Sequence, residues 1–304
     1  MRSATIIDAS HLADAPKGRS LWADARRRFF ANKAAVAGLV ILTLIAAFAI
    51  VGPFIAPWDI ETIDWAVLGQ VDTLGRPSLE TGHWFGTDAL GRDLFARTVQ
   101  GTQISLMVGI VGALIAVIVG TLYGATAGYF GGKIDNAMMR FVDVAMSIPY
   151  MFVLILLLVV FGRSILMLFI GIGLISWLDM ARIARGQTLA LKGKEFVEAA
   201  VATGVHPLRI ILRHIVPNLL GVIVVYATLL VPSMIIYESF ISFLGLGVQE
   251  PLTSWGALIN DGSAEMRNGT IWQLLFPLGF FVLGLFAFFF IGDGLRDALD
   301  PKDR

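Results

Sequence analysis

The sequence predicts an all-α membrane protein with six transmembrane helices, and three observations carry that prediction. Hydrophobic residues make up 57% of the 304 and charged residues only 15%, with a mean hydropathy of +0.77. Soluble domains balance about half apolar residues against roughly a quarter charged. Six apolar runs lie near the roughly 20 residues that a helix needs to cross a bilayer. Lys and Arg are spread unevenly over the segments joining those runs. The stretches left over offer no run long enough for a separate soluble core. The zero net charge argues against a nucleic-acid partner, and with no cysteine there is no disulfide, thiol or Cys-based metal chemistry.

The first span, near 34–56, follows Arg26, Arg27, Arg28 and Lys33 at the end of an N-terminal tail, 1–33. It is too long for a signal-peptide core and no small-residue cleavage site follows it, so it is expected to stay as an anchor, opening a transmembrane domain over 34–304. The loop at about 57–103 carries seven acids, Asp59, Glu61, Asp64, Asp72, Glu80, Asp88 and Asp93, with Trp58, Trp65 and Trp84 suited to a membrane interface. Asp88 and Asp93 lack the alternating ligands and central Gly of a calcium loop, and Asp93 is expected to cap the helix that follows.

Span two, near 104–128, carries a small residue at every fourth position: Gly112, Ala116, Gly120, Gly124, Gly128 and Gly132. Such a stripe lets two helix backbones approach closely in lipid, where burying Leu brings no hydrophobic gain. The partner is either a helix of this chain or one of a second subunit. Spans three to six are expected near 138–161, 164–181, 215–240 and 272–292. With the N-terminus inside, the tail, two inner loops and C-terminus hold 7, 2, 6 and 3 Lys and Arg, against 5 outside. The positive-inside rule then sets both termini in the cytoplasm.

Ionisable residues near or within spans are costly and are weighed as sites one by one. Arg140 with Asp143, Asp179 with Arg182, and Arg296 with Asp300 have the spacing of helical ion pairs. Asp293 is expected at a solvated helix end. Glu238, beside Tyr237 and Ser239 toward the outer end of span five, either lines a path through the membrane or meets external water. Pro217 and Pro232 are expected to kink that span.

The inner loop at about 182–214 is charged, between two apolar runs. Phe196, Ala199, Ala200 and Thr203 fall three and four apart, giving a short helix one small apolar face with Lys194, Glu195 and Glu198 around it. Gly204 is expected to stop that helix and Pro207 to open the next. An ordinary hairpin and a docking surface both fit this pattern.

Catalytic motifs are missing from the sequence. No phosphate loop, HExxH or GxSxG occurs, and His11, His83, His206 and His214 have no metal-ligand spacing, so no catalytic or metal residues are expected. Energy for transport would come from a partner or an ion gradient. The first case is an ATP-driven permease, the second a secondary transporter with a midplane ion site, for which no acid pair is visible. An intramembrane enzyme lacks a nucleophile and base.

Glu198-Ala199-Ala200, three residues, Gly204 and then Pro217 resembles the EAA loop of permeases in binding-protein-dependent ABC importers. The family pattern ends Ile, any residue, Leu, Pro, and of His214, Ile215, Val216 and Pro217 only the proline fits. Further stretches, FGTDALGRDLFARTVQGTQISL, DMARIARGQTLALKGKEFVEAA, ESFISFLGLGVQEPLTSWG and IGDGLRDALDPKDR, are similar to the peptide and nickel permease branch. GRSLWADARRRFFANKAAVAG, from Gly18, resembles its oligopeptide members. The resemblance implies the type I permease fold of ABC importers in a bacterial inner membrane. It implies coupling to an ATPase through Glu195, Phe196, Glu198, Ala199, Ala200, Gly204 and Pro207. It further implies one or two cytoplasmic ATPase subunits carrying ATP and magnesium, a sister permease, and a periplasmic peptide-binding protein facing the 57–103 loop. Oligopeptides are the expected solute, with dipeptides, antimicrobial peptides and nickel chelates open.

Overall fold

Asn32 starts the first span: its side chain accepts from the amides of Ala34 and Ala35 at 3.0 and 3.2 Å, capping α2 (Lys33–Ile55). The computed structural model describes residues 21–299. Within the expected N-terminal tail, α1 (Leu21–Ala31) is helical and lays Ala25 and Phe29 against Ala35, Ile291 and Ala298. Residues 1–20 of that tail lie outside the described residues, as does Asp300, the expected partner of Arg296.

Helices follow in order as α3 (Val71–Leu74), α4 (Leu94–Phe130), α5 (Gly132–Ser147), α6 (Tyr150–Phe161) and α7 (Ile165–Lys192). Then come α8 (Glu195–Ala202), α9 (Pro207–Ile210), a π-turn (Ile211–Ile215), α10 (Val216–Phe243), α11 (Trp255–Glu265) and α12 (Trp272–Leu299). Among the described residues five stretches are long and apolar enough to cross a membrane, Lys33–Ile55, Leu94–Phe130, Ile165–Lys192, Pro207–Phe243 and Trp272–Leu299; α5 and α6 reach that length and hydropathy only as a bent pair, which brings the number to six where the pair is one broken span.

That bent pair departs from expectation. The continuous helix expected over 138–161 is broken, and α5 meets α6 at a 78° bend. Pro149 is the cause: it lacks an amide proton, disfavours helical geometry at Ile148, and itself adopts φ −58, ψ 116 as the N-cap of α6. At Pro217 the ladder widens instead, with Val216 N–H donating to the Ile211 carbonyl in the π-turn. α10 runs on through Pro232 as one helix.

α4 is longer than the expected 104–128. Asp93 caps it, accepting from Ala96 N–H at 2.8 Å, and its 37 residues reach about 55 Å at ~1.5 Å each. The excess over a ~30 Å hydrocarbon layer stands inside a cap folded from residues 57–93 and 245–271. There Trp272 and Gln273 both donate to the Thr87 carbonyl, at 3.2 and 2.9 Å. His83 sits 2.9 Å from Asp93 and 3.4 Å from Asp64, and Trp58 stacks on its ring at 4.5 Å. Burial pushes the Asp93 carboxyl up, against the pull of Ala96 N–H and His83. Asp88 accepts from Leu90 N–H, Arg92 N–H and Arg92 Nε. Of the three loop tryptophans, Trp65 is exposed, whereas Trp58 stacks as above and Trp84 meets Phe95 edge-on at 4.8 Å.

Candidate coupling segment and membrane-buried sites

The small-residue stripe of α4 packs within this subunit. A Cβ on Gly120 would meet the Trp177 carbonyl at 2.5 Å, and one on Gly124 or Gly128 would strike the carbonyls of Ala181 and Arg185, all on α7. Gly112 faces Ile172 of α7 and Met234 of α10, and Ala116 is wholly buried. The seam is thus backbone against backbone, which only residues without bulk permit. Gly132 is the exception: it lies beyond the end of α4 with φ +55 and has no atom within 4 Å of a Cβ position, so it belongs to the turn into α5.

The charged pairs cross between helices. Asp143 pairs with Arg182 at 2.6 Å, in place of the local Arg140–Asp143 and Asp179–Arg182 pairs expected from spacing. Asp135 takes Arg185 Nε and Nη2, both at 2.6 Å, in the parallel two-bond geometry that suits guanidinium and carboxylate. α5 is therefore tied to α7 by two ion pairs.

Glu238 is 0% exposed. Its carboxylate accepts from Ser242 at 2.6 Å, Ser105 at 3.1 Å and Ser239 at 3.3 Å, and Ser105 Oγ accepts from Trp255 N–H at 3.1 Å. It therefore does not meet external water, one of the two expectations for it; it joins α4, α10 and α11. Ser239 is buried with it. Tyr237 lines a cavity.

The segment after α7 begins with Glu195 and Glu198 in the first turn of α8, where carboxylates favour the positive end of the helix dipole. It ends as expected from Gly204 and Pro207. Gly204 has φ +74, Val205 N–H returns to the Ala200 carbonyl at 3.1 Å and Gly204 N–H to Val201 at 3.0 Å, a Schellman closure. Pro207 opens α9, and His206 caps it by accepting from Leu208 N–H.

One face of α8 is not as expected. Ala200 turns inward with Val197 into an apolar cluster with Ala125, Met180, Ile210, Ile211, Ile215 and Leu219. The outward face is Phe196, 40% exposed, with Ala199, Thr203 and the two glutamates. Val197 was missed as an anchor, although its spacing to Ala200 is that of one helix face. Val201 and Leu208 extend the exposed apolar surface. α8 thus enters, by Val197 and Ala200, an apolar cluster to which α4, α7 and α10 also contribute, and leaves apolar and acidic groups outward.

An all-helical bundle of membrane spans with a short helix seated at one end by apolar packing has the architecture of a polytopic transport subunit. Its fold is that of ABC importer permeases: a chain of the inward-facing MetNI methionine ABC transporter superposes with a TM-score of 0.54, covering 66% of this chain and 95% of that one at 18% identity. The family described as binding-protein-dependent transport system inner membrane component matches residues 120–304, and the N-terminal TM domain of oligopeptide transport permease C matches residues 20–70. Relatives include the oligopeptide transport system permease proteins OppC of Haemophilus influenzae, 57% identical over 95% of this chain and 91% of that one, and of Escherichia coli K12, 59% identical over 95% and 93%. The dipeptide transport system permease protein DppC of Bacillus subtilis is 46% identical over 92% and 86%. This chain belongs to the family of inner membrane components of binding-protein-dependent transport systems.

Proposed function

We propose that this chain is the oligopeptide-importing permease subunit of an ATP-driven system, forming the translocation path with a sister permease. The seating of α8 carries the coupling part of this reading: Val197 and Ala200 fix it to the bundle while Phe196, Glu195, Glu198 and Ala199 face outward. One or two ATPase subunits, holding ATP and magnesium, dock there from the cytoplasm, Gly204 and Pro207 fix the turn behind the docked helix, and both termini lie on that side. A periplasmic peptide-binding protein meets the cap at the opposite end. Oligopeptides are favoured as the solute by relatives named for oligopeptide transport at 57 and 59% identity, against 46% for one named for dipeptides. The three serine hydroxyls that hold Glu238 as a buried structural link argue against an ion-driven transporter built on that acid.

The test is reconstitution of the complex that co-purifies with this chain into liposomes. Uptake of labelled oligopeptide that requires both ATP and the binding protein is the expected result. Uptake without ATP, driven by an ion gradient, would refute it.

A further inference from the structure

The break between α5 and α6 lies deep in the membrane. α6 has 12 residues, about 18 Å at ~1.5 Å per residue, little more than half of a ~30 Å hydrocarbon layer. Counted the same way from Ile165, where α7 starts at the cap end, Ser176 lies about 17 Å in and Asp179 about 21 Å in. Ser233 lies about 15 Å from the end of α10 at Phe243. These residues meet around one cavity of about 280 Å³, lined by Ser147, Tyr150, Ser176, Asp179, Ser233 and Tyr237.

Non-helical backbone at this depth is tolerated where it is buried in protein or lines a watered cavity. Ile148 and Pro149 are both exposed and both line this one. The side chain of Tyr150 supplies an independent observation: its hydroxyl is buried and has no hydrogen-bond partner. Its ring leans on that of Tyr237, with centroids 4.3 Å apart. Asp179 is exposed, and has no ion-pair partner among the described residues because Arg182 is held by Asp143. An unpaired carboxylate in a span is costly unless water or a cationic ligand reaches it. The volume far exceeds the roughly 15 Å³ that one water requires.

We infer that this cavity is a watered binding site for a peptide in transit, with Asp179 receiving the peptide's N-terminal ammonium and the hydroxyls of Tyr150, Ser147 and Ser233 meeting main-chain amides. The chemistry fits one cationic end and a neutral chain of any sequence. It would grip the features common to all peptides with a free amino terminus and leave side chains unread. The inference rests on the importer reading above.

The test uses the whole importer in liposomes, with the peptide-loaded binding protein supplied outside. Because the chain contains no cysteine, one introduced thiol reports alone when modification is read on this chain by mass. Ser233→Cys should react with a membrane-impermeant cationic methanethiosulfonate about tenfold faster than Leu44→Cys, which is exposed on the middle of α2. Asp179→Asn should slow uptake of a free-amino peptide about tenfold, as loss of one charged hydrogen bond implies. Asp179→Glu should recover most of that loss, and binding-protein-stimulated ATP hydrolysis should stay within about twofold in both. A merely structural role would lower assembly and hydrolysis together. Equal reactivity of the two thiols, or wild-type uptake by Asp179→Asn, overturns the site. If the unaltered complex imports no peptide, the importer reading fails by itself, while the thiol comparison still decides whether the cavity is watered.

Discussion

The two ends of the bundle are built on opposite principles. The cap end is polar and cross-linked: His83 with Asp93 and Asp64, Arg92 with Asp88, and Trp272 and Gln273 with the Thr87 carbonyl form a web of directional bonds. The α8 end is held by a greasy contact, Val197 and Ala200 in an aliphatic cluster, and turns its charges outward. Directional bonds fix one arrangement, because breaking any of them leaves a buried group unsatisfied. Aliphatic packing is non-directional, so a seated helix can rock without a comparable penalty. A rigid platform at one end and a pivot at the other suit a subunit whose motion is imposed from the pivot side.

Breaking the α4–α7 seam should abolish both ends at once, and is the largest effect expected. Gly124→Leu drives a side chain into the Ala181 carbonyl and Arg185 amide, backbone that cannot step aside. The expected outcome is no folded subunit, read as loss of the monodisperse peak in detergent chromatography. Gly132→Leu is no such clash, because nothing lies near its Cβ. It should fold, with only the cost of placing Leu at φ +55, about 1–2 kcal/mol.

Trp255→Ala tests the cap end. The ring is wholly buried, its Nε1 donates to Thr102 at 3.0 Å and its amide to Ser105 at 3.1 Å. Removing it should cost about 3–5 kcal/mol, measured as a fall in the melting temperature of the detergent-solubilised complex. Asp93→Ala takes away the α4 cap and the acceptor facing His83, and should cost about 2 kcal/mol on the same readout. A cap-end variant that left stability intact but halved stimulated ATP hydrolysis would reverse the comparison.

Much of this contrast was legible in the sequence. Hydropathy located the spans, Asp93 announced the α4 cap, and Gly204 with Pro207 gave the end of one helix and the start of the next. What stayed hidden depends on distant partners. Whether the stripe packed inside the chain or outside it was open until α7 was in place. Asp143 and Arg182 are 39 residues apart in sequence, so local spacing paired each with the wrong neighbour. Glu238 was open between a path and external water because Ser105, 133 residues away, supplies one of its hydrogen bonds. The break at Pro149 was signalled by the proline but masked by the apolar residues around it, which a hydropathy window reads as one span. Ala200 was assigned outward because a run of small residues gives helix faces little contrast.

The smallest effect expected on folding is also the sharpest test of the pivot. Glu198 is exposed, forms no ion pair among the described residues, and lies in the first turn of α8. Glu198→Arg reverses its charge at the positive end of the helix, which should cost about 1 kcal/mol or less, so the melting temperature should hardly move. If the outward face of α8 meets an ATPase, the same change replaces an attraction or a neutral contact with a misplaced cation at the interface, worth several times that. Peptide uptake should then fall at least about tenfold while the subunit still inserts and binds its sister permease. Gly204→Val would sharpen the reading: the β-branched residue at φ +74 tilts α8 without touching its outward face, so uptake should fall although the docking chemistry is intact. Unchanged uptake in Glu198→Arg, with the ATPases still attached, would mean that α8 is only a hairpin and that force enters the bundle elsewhere.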